Sequence, residues 1–347
     1  DYKIMVDGQL VKAQCPIIVS ASRSTDIPAF YADWFFDRLK KGYSVWTNPF
    51  NPKQKLYISY EKTRFIVFWS KNPRPLLSHL DELKERGIGC YVQYSLNDYE
   101  DEGLERGVPP LAERIETFKE LVRRLGIGSV IWRFDPLMLT DDIDINKLLK
   151  KIENIGDQLK GYTEKLVFSF ADIALYSKVK SNLEANCIPY HEWTDEQMKE
   201  FAAKVAALNQ EKGWNYQLAT CGEKASFDGV EHNHCVDDCL IVRFGYKSNE
   251  LMDFLGAEFI DRNDNSFPFY EDIAIYLENN IYAVINKDNK DKGQREFCGC
   301  MKSKDIGQYN TCIHMCEYCY ANTSKQIAAM NYRCHKENPW AETITGK

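Results

Sequence analysis

Asp305-Ile306-Gly307-Gln308-Tyr309-Asn310-Thr311-Cys312-Ile313-His314-Met315-Cys316-Glu317-Tyr318-Cys319-Tyr320-Ala321-Asn322 is the stretch whose reading decides the fold. Its cysteines follow C-x3-C-x2-C, with an aromatic residue just before the third. Three thiolates so spaced can close on three corners of one iron-sulfur cube, leaving the fourth iron for an outside ligand. The alternative is a zinc knuckle, which wants four ligands and pairs of the C-x2-C type. Here it would need His314 or Cys334 as the fourth.

The chain has 347 residues, twelve of them cysteine, and a formal charge of -7. It has no apolar run of about 18 residues and no signal-peptide pattern, so a cytoplasmic protein with no membrane attachment is expected. An acidic balance supplies no basic field for phosphates, so nucleic acid is not indicated as a partner. In a reducing compartment clustered cysteines point to metal rather than to disulfides. Cys15, Cys90 and Cys187 are scattered and read as small buried hydrophobes. The other nine crowd the last part of the chain. Cys221, Cys235 and the pair Cys298-Gly299-Cys300 can be taken together as a second site, holding an auxiliary iron-sulfur cluster, a structural zinc, or nothing. Cys239 is an alternate ligand there, while His232 and His234 read as surface residues.

Working backwards from the cysteines, apolar runs alternate with helical periodicity. Strands are expected at Pro16 to Ser20, Phe65 to Trp69, Cys90 to Ser95, Val130 to Phe134, Lys165 to Phe170 and Trp214 to Thr220. Helices fit Ala29 to Lys41, Leu76 to Arg86, Leu111 to Leu125, Ile145 to Leu159 and Glu196 to Leu208. After Tyr43 to Phe50, the alternating segment Lys55 to Tyr60 reads as an exposed strand or hairpin insertion. Successive βα units imply a parallel sheet. Six such units lack a seventh, which Lys304 to Asn310 as strand, Thr311 to Cys319 as loop and Tyr320 to Tyr332 as helix would supply. The expectation is an α/β fold, a partial (β/α) TIM-like barrel over residues 16–239, an insertion or small subdomain at 240–296, and a cluster-binding unit at 297–335 that docks beside Pro16 to Ser20. Polar residues fall at the C-terminal strand ends: Ser22-Arg23, Lys71-Asn72, Ser95, Arg133 with Asp135, Asp172 and Thr220-Cys221. Alone, each is an ordinary cap or salt-bridge partner; together they mark the rim on which barrel sites are built.

The cysteine motif resembles the signature of radical S-adenosylmethionine (SAM) enzymes, whose barrels begin with the unit that comes last here. The resemblance implies a circularly permuted barrel and a 4Fe-4S cluster on Cys312, Cys316 and Cys319. It further implies SAM chelated at the open iron and cleaved reductively to a 5'-deoxyadenosyl radical, which acts on an unknown small-molecule or peptide substrate. A low-potential electron donor such as flavodoxin or ferredoxin would then be a partner. Tyr318 is placed to pack near adenine, and Ser22, Arg23, Lys71, Asn72 and Arg133 are candidates for the carboxylate, ribose and substrate contacts. Ser20 to Pro28, Asn48-Pro49-Phe50-Asn51-Pro52, Val67 to Pro73, Ile131 to Pro136, Gln294-Arg295 through Cys298-Gly299-Cys300, and Cys319-Tyr320-Ala321-Asn322 resemble a family designated domain of unknown function eighteen forty-eight. That family is noted for a C-terminal cysteine cluster similar to the radical SAM one. Arg133-Phe134-Asp135-Pro136 and the Tyr-Ala after Cys319 are similar, more distantly, to spore photoproduct lyase, which repairs a thymine dimer. Fold and cofactor do not fix substrate, and the acidic charge gives that substrate no support. Two other readings remain open: an iron-sulfur redox or electron-transfer protein without SAM chemistry, and a zinc-stabilised barrel with a binding or hydrolytic role.

Overall fold

The computed structural model describes residues 2–48, 51–294 and 298–347; Pro49, Phe50 and Arg295 of the motifs above lie outside the described residues. Eight strands form one sheet: β1 (Ile18–Ala21), β2 (Phe65–Ser70), β3 (Gly89–Ser95), β4 (Val130–Leu137), β5 (Lys165–Phe170), β6 (Gln217–Thr220), β7 (Val230–His232) and β8 (Lys304–Asp305). Their order is β7-β6-β5-β4-β3-β2-β1-β8, and every neighbouring pair is parallel. Among the described residues no ladder joins β7 to β8, so the hydrogen-bonded sheet is open.

The strands read as unbroken apolar runs because both faces of the sheet are covered. Ile66, Phe68, Val92, Tyr94, Trp132, Phe134 and Phe168 meet the helices Ala32–Lys41, Leu111–Leu125, Ile145–Leu159 and Asp195–Glu211. Phe65, Val67, Tyr91, Ile131, Val167 and Ala219 face the other way. There they pack against Ile241, Val242, Leu251 and Leu255 of helices Asp238–Gly245 and Asn249–Leu255, and against Cys300 and Met301. The first part of segment 240–296 therefore shares a core with the sheet. Its remainder is a three-stranded antiparallel sheet of Ala257–Asp261, Ile281–Ile285 and Ile275–Glu278. The strand or hairpin expected at Lys55 to Tyr60 falls largely in the strand Asn51–Ser59, which pairs antiparallel with Tyr43–Asn48; the unforeseen strands Lys3–Val6 and Gln9–Gln14 complete a four-stranded sheet. No described helix is long and apolar enough to cross a membrane.

The last unit docks where the sequence puts it: Lys304 pairs with Val19 and Asp305 with Ser20. Its boundaries differ from expectation. The strand is two residues long rather than running to Asn310, and the helix is Lys325–Glu337 rather than Tyr320 to Tyr332. Helix formation waits for Ser324, whose side chain caps Ile327 N, because the N–H groups of Ala321 and Asn322 turn instead toward the Cys319 sulfur. The strand Val230–His232 was also unforeseen; three half-buried or exposed residues carry no apolar signal.

A two-residue strand cannot hold the last unit by its ladder alone, and Asp305 supplies the rest. Its carboxylate accepts hydrogen bonds from Ser20 Oγ, Ser22 Oγ and Arg23 N at 2.9 Å and from Gly307 N at 3.0 Å. Asp305→Ala should destabilise the protein by about 2–4 kcal/mol, since it strands several donors at once. Urea denaturation measures this, with exposed Asp228→Ala as the reference. A loss no larger than the reference would show that Asp305 does not hold the junction.

Candidate functional site

The C-x3-C-x2-C loop leaves β8 and is tied down along its length. Thr25 and Tyr31 hold it from below: Thr25 Oγ1 donates to Gln308 O and Tyr31 Oη to Thr311 O, both at 2.6 Å. From the far end, Asn322 Nδ2 donates to Cys312 O at 2.8 Å and Asn331 Nδ2 to Asn310 O at 2.9 Å. Met315, between the first two cysteines, has φ 57°, a left-handed conformation that non-glycine residues rarely adopt. The loop before helix Leu111–Leu125 crosses the motif, with Glu317 N donating to Leu104 O at 2.9 Å and Gly107 N to His314 O at 2.8 Å. A Cβ at Gly107 would stand 2.7 Å from the carbonyl oxygens of Ile313 and His314, so this crossing needs glycine.

Burial pushes all three thiols up, Cys312 to about 12. Against burial work the N–H groups of His314 and Asp26 at Cys312, those of Ala321 and Asn322 at Cys319, and the Lys71 ammonium at Cys316. Donors aimed at a buried sulfur stabilise its thiolate, the form a metal takes. His314 does not serve as a fourth ligand: its Nε2 lies 2.6 Å from Asp26 Oδ2 and its Nδ1 3.2 Å from Gly107 O. Cys334 sits in the following helix.

Beside Cys316 is a buried polar network. Lys71 Nζ donates to Glu105 Oε1 at 2.8 Å and to Tyr318 Oη at 3.0 Å, while Asn97 Nδ2 donates to the same two atoms at 3.0 and 3.1 Å. Tyr318 also donates to Glu105. Burial opposes the Glu105 charge, yet Lys71 and Arg114 outweigh it and hold its carboxyl at about 2. Asp26 resembles it: burial opposes ionisation, but His314, Ser70 and the Lys71 N–H keep the carboxyl below its ordinary value.

The second set of cysteines also comes together. Cys221 follows β6, Cys235 follows β7, and their sulfurs are 3.2 Å apart. Cys235 further touches Cys300, and Cys300 touches Cys298. Arg133 Nη1 and Asn233 Nδ2 each donate to Cys235 Sγ at 3.2 Å, and Val236 N donates to Cys300 Sγ at 3.5 Å. Contacts with Cys221 and Cys300, aided by Arg133 and Arg23, hold the Cys235 thiol well below its ordinary value. The Cys300 contact holds Cys298 at about 6. Trp69 lies under both guanidinium groups, 5.2 Å from Arg23 and 5.5 Å from Arg133, which spreads their charge over an aromatic face.

The rim residues thus divide. Lys71 and Tyr318 adjoin Cys316, where their polar atoms bind each other and Glu105. Ser22 is spent on Asp305. Arg133 serves Cys235, Gln93 and Asp135 rather than the C-x3-C-x2-C loop. The backbone O of Arg23 accepts from Tyr320 Oη at 2.7 Å while its guanidinium faces the second thiols. Asn72 contributes its N–H to Ser70 Oγ at 2.9 Å. Asp172 is exposed and caps Leu175 N. Cys239 is exposed, beside Asp237 and Asp238, away from the four thiols. Sequence reasoning missed Asp26, Asn97 and Glu105. A usable signal was Lys71 itself, since a lysine following a buried strand needs a carboxylate from elsewhere.

A family profile matches residues 18–321, that of the domain of unknown function (DUF1848). The chain belongs to the DUF1848 family. The match spans both sets of cysteines and ends just past Cys319. No curated protein and no solved structure matches the chain significantly.

The Glu105 carboxyl gives this DUF1848 protein a definite acid response. Its folded value of about 2 lies below the ordinary 4.5, so its stabilisation is complete above pH ~4.5 and drains away as pH falls toward 2. Glu105→Gln should lower stability at pH 7 by on the order of 3 kcal/mol and flatten the decline between pH 5 and 3. Urea midpoints across that range test this; parallel wild-type and variant curves would refute it.

Proposed function

We propose that this DUF1848 protein is a radical SAM enzyme in a circularly permuted partial (β/α) barrel, with a 4Fe-4S cluster held by Cys312, Cys316 and Cys319. The carrying observation is the C-x3-C-x2-C loop at the C-terminal end of β8, a strand docked parallel to β1. That is the rim on which (β/α) sites are built. The donor set suits the group: three thiols, Cys316 buried and Cys312 and Cys319 half-buried, with N–H groups or a cation directed at them, while His314 is occupied on both nitrogens. Buried Asn322 Oδ1 has no hydrogen-bond partner and leaves one acceptor for a bound molecule.

When bound, the cluster with SAM supplies reductive cleavage to a 5'-deoxyadenosyl radical, and the molecule attacked is unknown. The protein's own part is positional. N–H groups fix the Cys312 and Cys319 sulfurs, and the Lys71-Glu105-Tyr318 network sets the charge beside Cys316 while keeping water out. A low-potential donor such as flavodoxin or ferredoxin would deliver the electron, and the substrate is a small molecule or peptide.

The test is anaerobic reconstitution followed by reduction with SAM. About four irons with matching sulfide are expected on the C-x3-C-x2-C set, lost in Cys316→Ala, together with formation of 5'-deoxyadenosine. A fully loaded, fully reduced protein that forms none would overturn the SAM reading and leave an electron carrier. Lys71→Met should weaken cluster retention against a chelator ~10–100-fold, as loss of a ligand's supporting partner does.

A further inference from the structure

We infer that Cys221, Cys235, Cys298 and Cys300 bind a single divalent ion of the zinc class, in tetrahedral thiolate coordination, and that this ion fastens the two open edges of the sheet together. The inference is independent of the radical SAM reading.

The sulfur contacts carry the choice of ion. In a tetrahedral zinc site with bonds near 2.3 Å, neighbouring sulfurs stand about 3.8 Å apart. Here Cys221 and Cys235 are 3.2 Å apart, and Cys235 and Cys298 each touch Cys300. An iron-sulfur cube places each thiolate on its own iron, and a two-iron cluster sets two pairs apart from each other. The Cys235 to Cys300 contact links what would be those two pairs, so the four sulfurs do not divide into two separate pairs. They run as a chain, no three of them lying within 4.8 Å of one another; an ion would draw the ends inward. Four cysteine ligands are also a usual set for structural zinc.

The surroundings fit a metal thiolate. Cys235 accepts from the Arg133 guanidinium and the Asn233 amide, and Cys300 from Val236 N–H. Such outer donors orient and hold ligands. The Arg23 guanidinium feels the charge of Cys300, Cys235 and Cys298, and its Nη2 is buried without a hydrogen-bond partner. Four thiolates on a divalent ion carry a net double negative charge, which gives the buried Arg133 and the half-buried Arg23 guanidiniums a counter-charge in addition to Asp135 and Asp305. A cleft of about 420 Å³ lined by His232, His234, Asp238 and Gly299 borders the Cys298-Gly299-Cys300 turn.

The position explains what the ion would do. Cys221 and Cys235 extend β6 and β7, at one edge of the sheet, and Cys298 and Cys300 lead into β8 at the other. Among the described residues no ladder spans that gap, but Met301 N donates to Val236 O at 2.9 Å across it. One ion on all four cysteines would close the ring that the backbone leaves open.

The experiment uses the full chain carrying Cys312→Ala, Cys316→Ala and Cys319→Ala, so that iron on the first loop cannot confuse the count. Metal and sulfide analysis should give about one zinc per chain and no sulfide. Replacement by Co2+ should show the intense visible bands of a tetrahedral thiolate site. In the same background Arg133→Met should keep the fold by circular dichroism and weaken Co2+ affinity ~10–100-fold. Should the triple variant fail to fold, the wild-type chain titrated with Co2+ after demetallation, with Cys298→Ser beside it, reads the same site. Iron with sulfide on these four cysteines would replace the single ion by an auxiliary cluster. Failure to bind Zn2+ or Co2+ with the thiols reduced, or a Cys221 to Cys235 disulfide under reducing purification, would overturn the inference. Neither result bears on 5'-deoxyadenosine formation by the wild-type chain.

Discussion

One carboxylate fixes the geometry on which both sets of cysteines depend. Asp305 closes a junction whose ladder has two residue pairs by collecting two hydroxyls and two backbone N–H groups. Three of these donors come from Ser20 to Arg23 at the end of β1 and the fourth from Gly307 just past β8, so the carboxylate sets the height of β8 against β1 as well as its pairing. Gly307, two residues on, passes so close to Ser22 Oγ that a Cβ has no room. From that fixed point the chain runs forward into Cys312 and backward to Cys300. A shift of Asp305 would move the two thiol groups together.

The fold was legible wherever local periodicity and burial agree. β2, β3 and β5 and the helices at 111–125 and 145–159 could be read within a residue or two, because strands covered on both faces show apolar runs and the helices show one apolar stripe. β7 and the N-terminal hairpin could not, since their residues are largely exposed and their pairing is set by distant partners. The helix after the motif was misplaced by about five residues. Its apolar pattern suggested an earlier start, but the N–H groups there serve the Cys319 sulfur.

For the site, the cysteines themselves were legible and their supporting atoms were not. Cys221, Cys235, Cys298 and Cys300 could be grouped from crowding alone, although they are spread over 80 residues. Glu105 could not be linked to Lys71 or Tyr318, because its loop has neither periodicity nor motif and its role exists only in the folded crossing with the cysteine loop. Arg133 was visible as a charged strand end, but which cysteines it addresses depends on strand order: β4 stands three strands from β1 and faces Cys235 across the interior.

The two thiol groups draw on different cations, and the choice of cation follows from what each must do. Near Cys316 the charge is an ammonium whose remaining hydrogen bonds go to Glu105 and Tyr318, a compact point charge suited to a small, fully bonded pocket. At Cys235 the charge is a guanidinium, whose planar fork reaches Asp135, Gln93 and the sulfur at once while its face lies on Trp69. An ammonium has no such face and cannot span three acceptors in a plane. Nor does either cation bond to the other group's sulfurs. The charge on each set of thiols is thereby controlled separately, although both hang from the same short strand.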